Sequence, residues 1–136
     1  MHGRKGCECM SNYLHLAKSD LKFANFGLTN CTDEVEINYA AYHVNQAIEK
    51  IIKALLELSG NDLTDRKYRT HDIGYLISCL PQGTQVPNLI IERKFEIIRW
   101  VSEPRYNVSF RQSKEDVLII YDTTLEWLNQ IIMSLV

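Results

Sequence analysis

No run of apolar residues in this 136-residue chain approaches the ~20 needed to span a bilayer, so a membrane-spanning protein is not expected. The basic residues near the start, Arg4 and Lys5, are not followed by an apolar stretch, so no secretory signal is read there either. Excess positive charge is also missing. The net charge is −2, which argues against a protein that grips nucleic acid by bulk electrostatics, although a local basic site remains open. Sustained period-two alternation between turn signals is absent, which excludes a β-rich fold. Internal repeats and low-complexity stretches are lacking too. A cytoplasmic location is the default expectation.

Cysteine is sparse: Cys7, Cys9, Cys31 and Cys79. Four thiols without paired ligand spacing are expected to be reduced. Cys7-Glu8-Cys9 is half of a metal site at most, and no metal or cofactor is expected. Apolar residues make up 46% of the chain, enough to build a core without staples. The length fits one domain.

That core is written in helical spacing. Residues 1–10 carry no periodicity and are expected to be a flexible tail preceding a domain over 11–136. For a first helix expected from about Ser11 to Leu28, the residues Met10, Leu14, Ala17, Leu21, Ala24 and Leu28 draw one apolar stripe, with Lys18, Asp20 and Lys22 off it. The second helix is expected from Asp33, its cap, to Leu58, with Gly60 ending it. Two stripes coexist there, Ala40-Val44-Ala47-Ile51-Ala54-Leu58 and Ile37-Ala41-Ile48-Ile52-Leu55, as suits a central helix with neighbours on several sides. Glu49 and Lys53 form an i,i+4 pair on its polar side. A short third helix is expected over His71–Leu80, capped by Thr70, and a fourth over Asn88–Ser102 with Ile91, Phe95 and Ile98 facing inward. Pro104 is expected to turn the chain, and Ser113 to cap a last helix whose stripe is Leu118, Tyr121, Leu125, Leu128, Ile132 and Leu135. The fold class is therefore all-α: an up-and-down antiparallel bundle of about five helices.

Three clusters are candidates for chemistry. His43, Gln46 and Lys50 share one face of the second helix. They form either a polar stripe between helices or a row of donors for a phosphate or base. Thr70-His71-Asp72 reads as a helix start better than as a metal site, since no further ligands accompany it. In the segment Pro104–Arg111, Arg105 and Arg111 flank Tyr106 and Phe110. Arginine holds phosphate bidentately and an aromatic ring stacks a base; alternatively, the aromatics plug the end of the bundle.

Taken together, His43-x-x-Gln46-Ala47-x-Glu49-Lys50, Lys53-Ala54-Leu55-Leu56, Thr70-His71-Asp72-Ile73-x-x-Leu76, and Arg105-Tyr106 before a long final helix resemble the HEPN domain. The resemblance runs from about Asn12 to Leu135. It implies a bundle of about five helices, homodimerisation, and association with nucleotides or RNA. It also implies, for a small stand-alone member, pairing with a minimal nucleotidyltransferase as toxin and antitoxin. Arg105, Tyr106, Arg111, His43, Gln46, Lys50 and His71 become the candidate ligand-binding residues. The chain departs from the family's ribonuclease pattern, in which an arginine is followed after four to six residues by histidine. From Arg105 those places hold Phe110, Arg111 and Gln112; from Arg111 they hold Asp116, Val117 and Leu118. No histidine follows His71. A proton-moving side chain of suitable pKa is missing where that mechanism needs it, so no catalytic residue is assigned. A rearranged ribonuclease using His43 or His71, or a helical interaction subunit without a ligand, are the alternatives.

Overall fold

In the computed structural model, which describes residues 11–136, the stripes of the first two helices bury as their spacing predicts. Helix α1 (Asn12–Asn30) starts where the Ser11 side chain accepts from the Tyr13 amide at 3.0 Å. Helix α2 (Glu34–Leu58) starts where Asp33 accepts from Val35 at 2.7 Å, and it ends at Gly60 with φ +94°, the left-handed conformation a side chain rarely adopts. Three residues join these two long helices, which lie antiparallel and pack more extensively than any other pair. Small residues allow the close approach: a Cβ at Gly27 would stand 3.2 Å from that of Ala40. Both stripes of α2 are buried except near its C-terminus, where Leu58 is exposed, and α2 touches α1, α3, α5 and α6.

The remainder is α3 (Ile73–Ser78), α4 (Asn88–Glu92), α5 (Lys94–Tyr106) and α6 (Lys114–Ser134), with one 3-10 turn at Arg66–Tyr68. No strand occurs among the described residues, and none of their helices is long and apolar enough to cross a membrane. The expected tail at residues 1–10, with Cys7 and Cys9, lies outside the described residues. Cys31 and Cys79 are free thiols.

Several local expectations are corrected. Asp72, not Thr70, caps α3: it accepts from the Tyr75 amide at 3.1 Å, while the Thr70 hydroxyl accepts from the Asp72 amide at 3.0 Å. The expected fourth helix is two helices, broken at Arg93 (φ −102°, ψ 13°), whose guanidinium reaches Glu96 at 3.4 Å and Asp116 of α6 at 3.6 Å. The inward residues are Ile90, Ile97 and Trp100, and Phe95 is 73% exposed. Of the expected stripe, Ile98 packs partly buried against the core, whereas Ile91 is exposed. Pro104 does not turn the chain. It lies in the last turn of α5, where its ring costs one hydrogen bond, to the carbonyl of Trp100, and its fixed φ suits the helix. On α6, Ser113 caps as expected and Tyr121 and Leu128 are buried as expected, but the buried face is completed by Val117, Ile120, Thr124 and Trp127. Leu118 and Leu135 are exposed. Thr124 tolerates burial because its hydroxyl donates to the Ile120 carbonyl at 2.7 Å.

Candidate functional site

The candidate residues separate into three places. The first is the contact between α1 and α2. Asp20, off the apolar stripe of α1, meets His43 and Lys50 of α2: the His43 Nδ1 lies 3.0 Å from one carboxylate oxygen and the Lys50 Nζ 2.6 Å from the other. His43 also stacks on Phe23, with centroids 5.8 Å apart, and takes the edge of Tyr42 at 5.4 Å. Gln46, between them on the same face, is buried and donates to the Asn45 side-chain oxygen at 3.1 Å. Two of the three polar residues on this face are thus engaged by a carboxylate that the sequence reading left unpaired.

Burial alone would raise the Asp20 carboxyl, but hydrogen bonds from His43 and Lys50 outweigh it and hold the group below its ordinary value of 3.8. A carboxyl depressed by folding stabilises the fold above its unfolded pKa, and that contribution is lost as pH falls through the folded value. Asp20→Asn is therefore expected to remove part of the stability loss seen below about pH 3.8 and to lower stability at neutral pH. Urea titrations at pH 3 and pH 7 for both proteins check this; parallel losses on acidification would contradict it.

The second place surrounds Glu49. The residue is 4% exposed, and its carboxylate accepts from Lys53 Nζ at 3.0 Å and His71 Nδ1 at 2.8 Å. The expected i,i+4 pair is thus present, with a buried carboxylate and a third member, the exposed His71, from the segment before α3. His71 ties that segment to α2. Among the described residues, no group of three or more His, Cys, Asp or Glu side chains is placed to hold a metal.

The third place is a groove of about 430 Å³ between the first half of α2, the last turns of α5 and the loop that follows. Val35, Asn38, Tyr39 and Tyr42 line it from α2, and Trp100, Val101, Pro104 and Arg105 from α5. Asn107, Val108 and Arg111 complete it from the loop. The loop is held from several sides. The Asn107 amide donates to Glu103 at 2.8 Å and the Ser109 amide to the Asn107 side chain at 3.0 Å. Arg111 donates to the carbonyls of Val108 and Phe110 at 3.0 and 2.8 Å. From α2, Asn38 Nδ2 donates to the Phe110 carbonyl at 2.8 Å. The Phe110 ring, under Arg99 at 5.5 Å, packs on the core as a plug.

Arg105 and Arg111 therefore meet in one groove. Arg105 has no ion-pair partner among the described residues. Tyr106, adjacent in sequence, does not line the groove and is 84% exposed. Tyr39 and Tyr42 supply aromatic lining, with Asn38 and Trp100 beside them; none of these four is among the candidates read from the sequence. A trace was legible, because Val35, Asn38, Tyr39 and Tyr42 recur at helical spacing on a face that neither apolar stripe uses.

No curated protein and no solved structure matches the chain. The family model of the HEPN domain matches residues 10–130, which is most of the chain, and the protein belongs to the HEPN domain family.

Proposed function

We propose that this HEPN protein is a nucleotide- or RNA-binding module whose ligand occupies the groove beneath the α5–α6 loop. Family membership supports a nucleotide- or RNA-related role in general terms. The observation that carries the assignment to this groove is Arg105: a permanent cation with no ion-pair partner among the described residues, on a groove walled by Tyr39 and Tyr42. A guanidinium holds phosphate in a planar fork, and neighbouring phenol rings offer faces on which a base stacks. His43 and His71 do not line the groove, and each gives its Nδ1 to a carboxylate elsewhere. The groove thus has a phosphate-binding cation and no histidine to move a proton from a ribose 2′-hydroxyl, which supports binding without metal-independent RNA cleavage.

The proposal extends to partners. A minimal nucleotidyltransferase, in a toxin–antitoxin pair, is the protein partner that the family resemblance suggests. A homodimer is supported by exposed side chains at the end of α5 and in the loop after it, where Tyr106 and Val108 are 84% and 89% exposed. Phe110, partly buried against its own core, presents less surface for that contact than Tyr106 and Val108 do. Sedimentation at micromolar concentration is expected to show a dimer that Tyr106→Asp with Val108→Asp converts to a folded monomer. A parent protein that sediments as a monomer contradicts this part.

One observation favours a second reading, a ribonuclease with a rearranged site. The His43 ring is oriented by Asp20 and touches Tyr42, which lines the groove. Incubating the purified protein with single-stranded and structured RNA in a chelator separates the two. The binding reading expects retention of RNA with its chain length unchanged. Cleavage abolished by His43→Ala supports the second reading and overturns the first.

A further inference from the structure

Among the described residues, two buried side-chain atoms have no hydrogen-bond partner, Asn38 Oδ1 and Trp100 Nε1. Both residues line the groove that holds Arg105. Buried polar groups are nearly always paired, so an orphan calls for a cause. Here both orphans belong to residues that line one groove, and they are complementary: one accepts and the other donates. The Asn38 amide is already oriented, since its Nδ2 donates to the Phe110 carbonyl at 2.8 Å, which leaves Oδ1 as the free atom. The indole can only donate, and Trp100 is 1% exposed.

A ligand satisfying both atoms carries a donor beside an acceptor on one edge. Tyr39 and Tyr42 add ring faces, and Arg105 adds a cation. Edge, flat face and anion are combined in a nucleotide. We propose that this groove reads the edge of an unpaired nucleobase: Asn38 Oδ1 accepts from a base N–H, and Trp100 Nε1 donates to the adjacent ring nitrogen or carbonyl. The inference rests on the groove being the nucleotide site proposed above. It adds that the base is recognised, and that its pairing edge is free. Both atoms lie beneath the groove surface, so the base enters by displacing the rim, where Tyr39 and Val108 are exposed. A free nucleotide and an unpaired base in a strand present the same chemistry.

The test titrates the full chain with AMP, CMP, GMP, UMP and ribose 5-phosphate, then with the tightest nucleotide methylated on its pairing-edge donor. At least one nucleotide is expected to bind tenfold or more tightly than ribose 5-phosphate, and methylation is expected to remove most of that gap. The Trp100 indole N–H resonance, assigned with Trp127→Phe, is expected to move downfield with that nucleotide and not with ribose 5-phosphate. Asn38→Leu is expected to narrow the gap to about threefold, since one of two edge contacts is lost. If that variant misfolds, the ligand comparison still decides. A single-stranded hexamer is expected to bind at least tenfold more tightly than its duplex. A hexamer far tighter than the mononucleotide identifies a strand as the source of the base, and equal affinities identify the free nucleotide. If ribose 5-phosphate binds as well as every nucleotide, in an Arg105-dependent way, edge reading is overturned while the groove assignment stands. If none of these ligands binds, both fall.

Discussion

Trp100→Ala is expected to cost about 3–5 kcal/mol of folding stability, among the largest losses available to a single side chain in this domain. The indole is 1% exposed and belongs to the core where α5 meets α2. Truncation removes its apolar burial and leaves a cavity that two helices cannot collapse to fill. Domains of this kind keep only about 5–15 kcal/mol in reserve, so the variant sits near the threshold of folding. Chemical denaturation reads the effect as a lower midpoint with an unchanged slope. A loss below about 1 kcal/mol would mean that the indole is not the anchor described here.

Arg105→Ala is expected to do the opposite: little to stability and much to binding. The side chain is exposed and has no ion-pair partner among the described residues, so its removal is expected to change stability by no more than about 0.5 kcal/mol. A charge-assisted hydrogen bond to phosphate contributes about 1.5–3 kcal/mol, so affinity for nucleotide or RNA is expected to fall roughly ten- to hundredfold. The dependence of RNA affinity on salt is expected to weaken by about one released counterion. Arg111→Ala is a less clean probe. That guanidinium holds the carbonyls of Val108 and Phe110, so its loss loosens the loop as well as removing a charge. Unchanged affinity and unchanged salt dependence in Arg105→Ala would place the ligand elsewhere.

The first two helices were legible in the sequence because every local signal agreed. Leu14, Ala17, Leu21, Ala24 and Leu28 admit one face, and Asp33 and Gly60 mark ends by chemistry that needs no tertiary context. The segment from Asn88 to Tyr106 was not legible in this way. Ile90, Ile91, Phe95, Ile97, Ile98 and Trp100 support more than one phase, and the break at Arg93 involves partners that include Asp116 on α6. Helix α6 offers the same ambiguity, since apolar residues at Val117–Ile120 fill adjacent faces and only packing selects Val117 and Ile120. At the site, Arg105 and Arg111 were visible because they are close in the chain. The rest depended on the fold: Tyr39 and Tyr42 come to the groove from α2, whereas Tyr106, next to Arg105 in sequence, points elsewhere. Likewise the row His43, Gln46 and Lys50 was readable as one face, but the carboxylate that engages His43 and Lys50 arrives from α1.

The most direct test of the central proposal is to follow backbone and indole N–H resonances of the intact chain while a nucleoside monophosphate is added. Shifts clustered at Asn38, Tyr42, Trp100, Arg105 and Arg111 are expected, and they are expected to disappear in Arg105→Ala. Shifts centred on His71 and Glu49, or none at saturating nucleotide, would contradict it.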